Sequence, residues 1–244
     1  MRLGWIALLL LTAAPWLGAA GEIRLLVIAG GHGEKGWREM FQSMPGIQVT
    51  YASFRQNGGV MLAPERAKDF DAMLFYEAQQ DAEPHWKGWM QVLEKGMPTV
   101  FLHHTLGSYE SVPDTDQIFG GSVCWSWRWR AVPLPCAGKP AGTSLDDLPI
   151  RVRIADPAHP ITKNMRDFDI VDESYKNYYV RPDVHVLLTT DEPTSESRIG
   201  WTHRYKNSPI VYLELGHNDK AFENANYRRL VERSIRWVVG KLDD

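Results

Sequence analysis

Four histidines in this sequence stand directly after apolar runs that read as β-strands. His32 follows Ile23 to Ala29 across Gly30 and Gly31, His103 and His104 follow Thr99-Val100-Phe101-Leu102, and His217 follows the run that ends at Leu215. Imidazole titrates near neutral pH and offers either a proton or a lone pair, so residues so placed suit acid–base chemistry or metal ligation. Open α/β sheets bind ligands beyond the carboxyl ends of their strands, which is where these side chains fall. With a divalent metal such as zinc as cofactor, His32, His104 and His217 are the candidate ligands, and Glu110, Asp172 or Glu173 would add an oxygen. No spacing matches a known metal signature such as HExxH. Without a metal, His103, His104 and His217 can act as base or acid, with Glu173 as the partner carboxylate. Neighbours on a strand point to opposite sides, so only one of Asp172 and Glu173 faces a given pocket, and Glu173 is the candidate. The competing structural role for each histidine is helix capping or a core hydrogen bond.

His32, Glu110, Tyr175 and Trp127 are the candidate substrate-binding residues. In Cys124-Trp125-Ser126-Trp127-Arg128-Trp129-Arg130, an extended backbone puts three indoles on one face, where they could stack on a sugar ring or pack a loop against the core. Gly30-Gly31-His32-Gly33 lacks both the GxGxxG spacing and the P-loop lysine, so nothing supports nucleotide binding.

The elements that must position these groups follow from the pattern. Ile23–Ala29, Gln48–Tyr51, Phe70–Tyr76 and Thr99–Leu102 are short apolar runs, with helices expected over Trp37–Met44 and His85–Lys95. Unbroken apolar strands alternating with helices argue for a doubly wound, mainly parallel α/β sheet covered on both faces. Ile150–Ala155, Val184–Thr190, Ser197–Trp201 and Ile210–Leu215 have short connections, which suits an antiparallel extension. An amphipathic helix over Asn226–Val239 closes the domain, and the proline-rich stretch 131–149 reads as an ordered surface loop.

The chain has 244 residues, 44% of them hydrophobic, enough for one sizeable core. Lysine and arginine number 27 against 30 acidic residues, so nothing in the charge balance suggests an electrostatic grip on nucleic acid, and no nucleic-acid partner is expected. Residues 1–20 read as a secretory signal, with Arg2, an apolar stretch from Ile6 to Ala14 and the small residues Gly18-Ala19-Ala20 before the cut. The expected organisation is therefore a signal peptide over 1–20 and one domain over 21–244, periplasmic or secreted, with no membrane contact after cleavage. In an oxidising compartment Cys124 and Cys136 are close enough in sequence to form a disulfide, with two free buried thiols as the alternative.

The ordered motifs resemble the ThuA-like family. Ala29-Gly30-Gly31-His32, Val100-Phe101-Leu102-His103-His104-Thr105 and Ile118-Phe119-Gly120-Gly121 carry the likeness in the first half. Asp156-Pro157-Ala158-His159-Pro160-Ile161-Thr162-Lys163, Asp172-Glu173-Ser174-Tyr175, Leu187-Leu188-Thr189-Thr190, Leu215-Gly216-His217-Asn218 and Ile235-Arg236-Trp237 carry it in the second. The resemblance runs from about Ile23 to Gly240. It implies a fold like that of flavodoxin and the class I glutamine amidotransferases, and an association with trehalose and related sugars, including 3-keto-sugars. It places Thr105 where an amidotransferase has its cysteine, so glutamine hydrolysis is not expected. It marks His32, His103, His104, Glu173 and His217 as site positions. The function expected is an exported enzyme acting on a sugar or oxidised sugar, whether hydrolase, lyase or isomerase. The alternative is a non-catalytic carbohydrate-binding or scaffold protein. On either reading the partner is a small-molecule carbohydrate.

Overall fold

In the computed structural model, the described residues are 22–30, 35–53, 59–77, 86–109, 112–126 and 135–242. The proposed signal peptide, His32, Glu110 and Trp127 lie outside them. The elements, in chain order, are β1 (Ile23–Gly30), α1 (Lys35–Gln42), β2 (Ile47–Ala52), the short turns α2 (Gly59–Met61) and α3 (Pro64–Ala67), β3 (Ala72–Glu77), α4 (Trp86–Glu94) and β4 (Thr99–Leu102). A 3-10 turn (His103–Gly107) leads to α5 (Thr115–Phe119) and β5 (Gly121–Ser122). Then come β6 (Thr143–Ile154), β7 (Phe168–Lys176), β8 (Tyr179–Val180), β9 (His185–Thr190), β10 (Arg198–Tyr205), β11 (Ser208–Leu213), α6 (Asp219–Glu223) and α7 (Ala225–Val238).

Among the described residues nine strands form one sheet in the order β2-β1-β3-β4-β11-β10-β9-β6-β7. The pairs from β2 to β11 are parallel, and those from β11 through β10, β9 and β6 to β7 are antiparallel. The expected parallel α/β sheet with an antiparallel extension is thus present, and β11 is its seam. Alternation along β1 explains the two-sided cover. Leu25, Val27 and Ala29 join α1 and α7 in one core layer, while Leu26 and Ile28 join Phe75, Trp89 and Phe101 in the other. A strand buried on both faces needs apolar residues on both sides, which Leu25 to Ala29 supply, while Arg24 at the strand's start is exposed and pairs with Asp71.

The stretch 131–149, expected as a loop, is in part strand, because β6 begins at Thr143. Its prolines do not prevent this: Pro149 pairs opposite Val171 in the β6–β7 ladder, past an irregularity between Leu145 and Leu148. This irregularity releases Asp146 and Asp147 from strand alternation, and Asp147 takes a left-handed φ of 60°. Cys124 and Cys136 form a disulfide. Trp125 beside it is buried, bridges to Gly142, and lies against Gly107, where a Cβ would meet the indole. That indole therefore packs the core.

His203 on β10 is largely enclosed, and burial pushes its imidazole down to about 4, with Arg181 adding to the effect and Asp183 opposing it. A histidine neutral in the fold but titrating near 6.5 when unfolded withholds no stability at neutral pH, and destabilises progressively as pH falls from about 6.5 toward 4. Chemical denaturation across this range should show about 2–3 kcal/mol less acid destabilisation in His203→Gln than in the parent chain.

Candidate functional site

Three segments meet beyond the carboxyl ends of β4 and β11. The first is the turn after β4, where His103 holds a left-handed φ of 50° at the strand-to-turn corner. The backbone there is fixed from several directions: Tyr212 donates to the His103 carbonyl at 2.8 Å, and Ser108 donates to the carbonyls of His104 and Glu77. Thr105, two residues on, spends its hydroxyl on the Leu102 carbonyl. The corner residue, which is the one a strained strand-to-helix turn projects, is therefore His103, and Thr105 is turned back into the backbone. The second segment follows β11, where Gly216 at φ 117° turns the chain so that His217 faces His103; a side chain at Gly216 would meet the Tyr227 hydroxyl. The third is β7, whose alternation sends Glu173 and Tyr175 to the same side.

Four polar atoms crowd together there. His103 Nε2 lies 2.9 Å from Glu173 Oε2, 3.1 Å from His217 Nδ1 and 2.8 Å from the Tyr175 hydroxyl. His217 Nδ1 is itself 2.9 Å from Glu173 Oε2. His103 is fully buried, Glu173 nearly so, and the His217 side chain keeps 19% exposure, which makes it the member of the three most open to solvent. The far nitrogen of His103, Nδ1, donates to the Glu214 carbonyl at 2.6 Å; since a carbonyl only accepts, a proton sits on Nδ1, and Nε2 is the nitrogen turned to the cluster. Burial alone would raise the Glu173 carboxyl, but the bonds from His103 and His217 outweigh it and hold the group well below the usual carboxylate range. The same bond to Glu173 raises His217. Burial lifts the Tyr175 phenol well above its ordinary value, so it serves as a neutral hydrogen-bonding group.

Asp172 points away from Glu173 and grips the loop after β11. Its carboxylate accepts from the backbone N–H of His217 at 2.9 Å, of Gly216 at 2.7 Å and of Glu173 at 2.9 Å. Glu214 is also buried; it accepts from Tyr175 N–H at 3.0 Å and Ser195 at 3.2 Å and bonds Tyr178, and burial pushes it up to about 8. The carboxylate of Asp146, freed by the irregularity in β6, stands 3.8 Å from His217 Nε2, while Asp147 pairs with Lys220 at 2.8 Å.

Of the sequence candidates, the structure brings together His103, Glu173, His217 and Tyr175. His104 sits behind His103 with its ring against Tyr76 at 4.7 Å, and its nitrogens are not among the converging ligand atoms. The His103, Glu173 and His217 ligand atoms all lie within 4.8 Å of one another, the only such grouping of metal-capable side chains among the described residues. Asp146 and the supporting roles of Asp172 and Glu214 escaped the sequence reading. A lone glutamate in the apolar run Ile210–Leu215 was a signal available for Glu214, since a carboxyl there is buried and must be bonded.

Replacing Asp172 with asparagine leaves one oxygen for the three backbone N–H groups that the carboxylate accepts, and sets an N–H2 against at least one of them. We expect a loss of about 1–3 kcal/mol in chemical denaturation, against less than about 0.5 kcal/mol for Asp169→Asn, whose exposed carboxylate only pairs with Arg151.

Comparison with known proteins agrees with this architecture. No curated protein matches the sequence. A ThuA-like protein from Parabacteroides merdae superposes with a TM-score of 0.73 at 16% identity, covering 91% of this chain and 92% of that one. One from Bacteroides uniformis gives 0.69 at 18% identity, covering 95% and 97%. A chain from Thermoplasma acidophilum, described as part of a GMP synthase, gives 0.53 at 9% identity, covering 90% and 94%, which extends the shared fold to amidotransferase-like chains. The sequence profile of ThuA, described as trehalose utilisation, matches residues 19–238, and the chain belongs to that family.

Proposed function

We propose that this protein is an exported enzyme that acts on a sugar or a keto-sugar through the His103, Glu173 and His217 cluster. The observation that carries this reading is the convergence of two imidazoles and a carboxylate, with a phenol beside them, at the carboxyl edge of the sheet. Structural histidines need one bond each, and a core has no use for three titratable groups bonded to one another with one of them open to solvent. The family's description as trehalose utilisation supports a sugar as the substrate class.

In this reading each group has a part. His103 is fixed by the Glu214 carbonyl and cannot rotate without leaving that bond unmade. Glu173 stays ionised and orients His217. His217, the most exposed of the three, exchanges a proton with the substrate and solvent. A carbon next to a ketone is acidified by the carbonyl, so a keto-sugar offers a proton that an imidazole can take. Tyr175 is placed to hydrogen-bond an oxygen that gains charge as that proton leaves. Trp125 is used in packing, edge-on to Tyr175 at 5.2 Å.

His217→Ala and Glu173→Gln should each lower turnover of a 3-keto-disaccharide by about 10²–10⁴ while circular dichroism stays that of the parent. Parent-like rates in both variants on a substrate the wild type turns over would remove the cluster from the chemistry. Export is tested by intact mass: protein recovered from the periplasm should begin at Gly21, and a retained Met1 would show that the segment stays on.

A further inference from the structure

His103 Nε2 has one bonding direction and three polar neighbours within 3.1 Å: a carboxylate oxygen, an imidazole nitrogen and a hydroxyl. Hydrogen bonds alone cannot satisfy that nitrogen, because a single lone pair or a single proton serves one partner well. A cation at the common point serves all of them. The outward-facing nitrogens support such a cation too. His103 Nδ1–H is fixed by a backbone carbonyl, and the Asp146 carboxylate stands 3.8 Å behind His217 Nε2, so each ring has an oxygen on its outer side and turns its other nitrogen to the common point. That is the arrangement by which outer acceptors set the tautomer of metal-binding histidines.

We propose that His103 Nε2, His217 Nδ1 and Glu173 Oε2 form a two-histidine, one-carboxylate site for a six-coordinate divalent transition-metal ion. The choice of coordination follows from the triangle these atoms make, with edges of 2.9, 2.9 and 3.1 Å. An ion about 2.1 Å from each atom, with right angles between its bonds, needs ligand atoms about 3.0 Å apart, whereas tetrahedral zinc at about 2.0–2.1 Å needs them about 3.4 Å apart. The observed triangle is that of one octahedral face. The ion class is thus manganese, iron, cobalt or nickel before four-coordinate zinc. His104 is not a ligand in this arrangement. Three protein atoms on one face leave three neighbouring positions, which suit a water and two adjacent oxygens of a sugar. The metal site rests on the residues of the function proposed above and does not depend on the reaction assigned to them.

The test is calorimetry of chelator-treated full-length mature protein with manganese(II) and cobalt(II) chloride, followed by the visible spectrum of the cobalt form. The expected result is one ion per chain, the weak absorption of six-coordinate cobalt, and binding at least about 100-fold weaker in His217→Ala and in Glu173→Gln. His217 is partly exposed, so its variant should fold even if the Glu173 variant does not. His185→Ala, in an exposed pair with Asp156, should bind as the parent does. Absence of binding at millimolar ion, or binding unchanged in His217→Ala, overturns the site. The intense absorption of four-coordinate cobalt overturns the octahedral assignment. Turnover of a keto-sugar by protein that binds no ion at millimolar concentration would sink the metal proposal and leave the acid–base reading standing. Metal binding without turnover on any sugar would do the reverse.

Discussion

One carboxylate ties the two halves of this sheet together at the site. Asp172, on the edge hairpin, accepts the backbone N–H groups of Gly216 and His217 beyond the central strand β11, and of Glu173 beside it. The β6–β7 hairpin is separated from β11 by β10 and β9 in the hydrogen-bonded order, so ladder pairing alone does not bring Glu173 to His217. The side chain of Asp172 does so by fixing both backbones at once. The same atoms satisfy N–H groups that a glycine-led turn would otherwise leave unpaired, in a place closed to water. Removing them would loosen two members of the cluster in one step.

Charge management follows from that constraint. Asp172, Glu173 and Glu214 stand close together and are buried, and three ionised carboxylates in such a place would repel one another. Burial raises Glu214 to about 8, so at neutral pH it is mostly protonated and contributes hydrogen bonds without charge. Glu173 stays ionised because the bonds from His103 and His217 outweigh its burial, whereas burial raises Asp172 despite the opposing pull of His103 and of three N–H donors. The remaining negative charge faces one point between the histidines. A proton or a metal cation at that point is the balancing partner that the field demands.

Much of this was legible from residue order. Largely apolar runs located the parallel strands to within two residues; β3 and β4 are buried at every position, whereas the edge strand β2 alternates. The histidines after β4 and β11 marked the site, since the carboxyl edge of such a sheet is where side chains escape the core. Tyr175 and Glu173 shared a face by strand period alone. What escaped depended on contacts distant in sequence. Asp172 reads as an alternative oxygen ligand to Glu173 until the loop that it grips is in view, and the irregularity that releases Asp146 needs the register of two strands. The prolines of 131–149 suggested a loop because proline lacks a donor, yet Pro149 sits within the ladder opposite Val171.

The turn after β4 also explains why a shared sheet need not mean shared chemistry. A left-handed corner costs about 1–3 kcal/mol for a residue with a Cβ, and it persists here because Tyr212, Ser108 and the Glu214 carbonyl hold His103 and its turn from separate elements. The strain aims one side chain out of the strand end, and the identity of that side chain decides what the site can do. An imidazole held there, with its inner nitrogen directed at a carboxylate and a second imidazole, cannot act as a thiol nucleophile. It can hold a proton or a metal. The fold therefore sets where chemistry happens, and the residues at the corner, on the hairpin and after the seam strand set its kind.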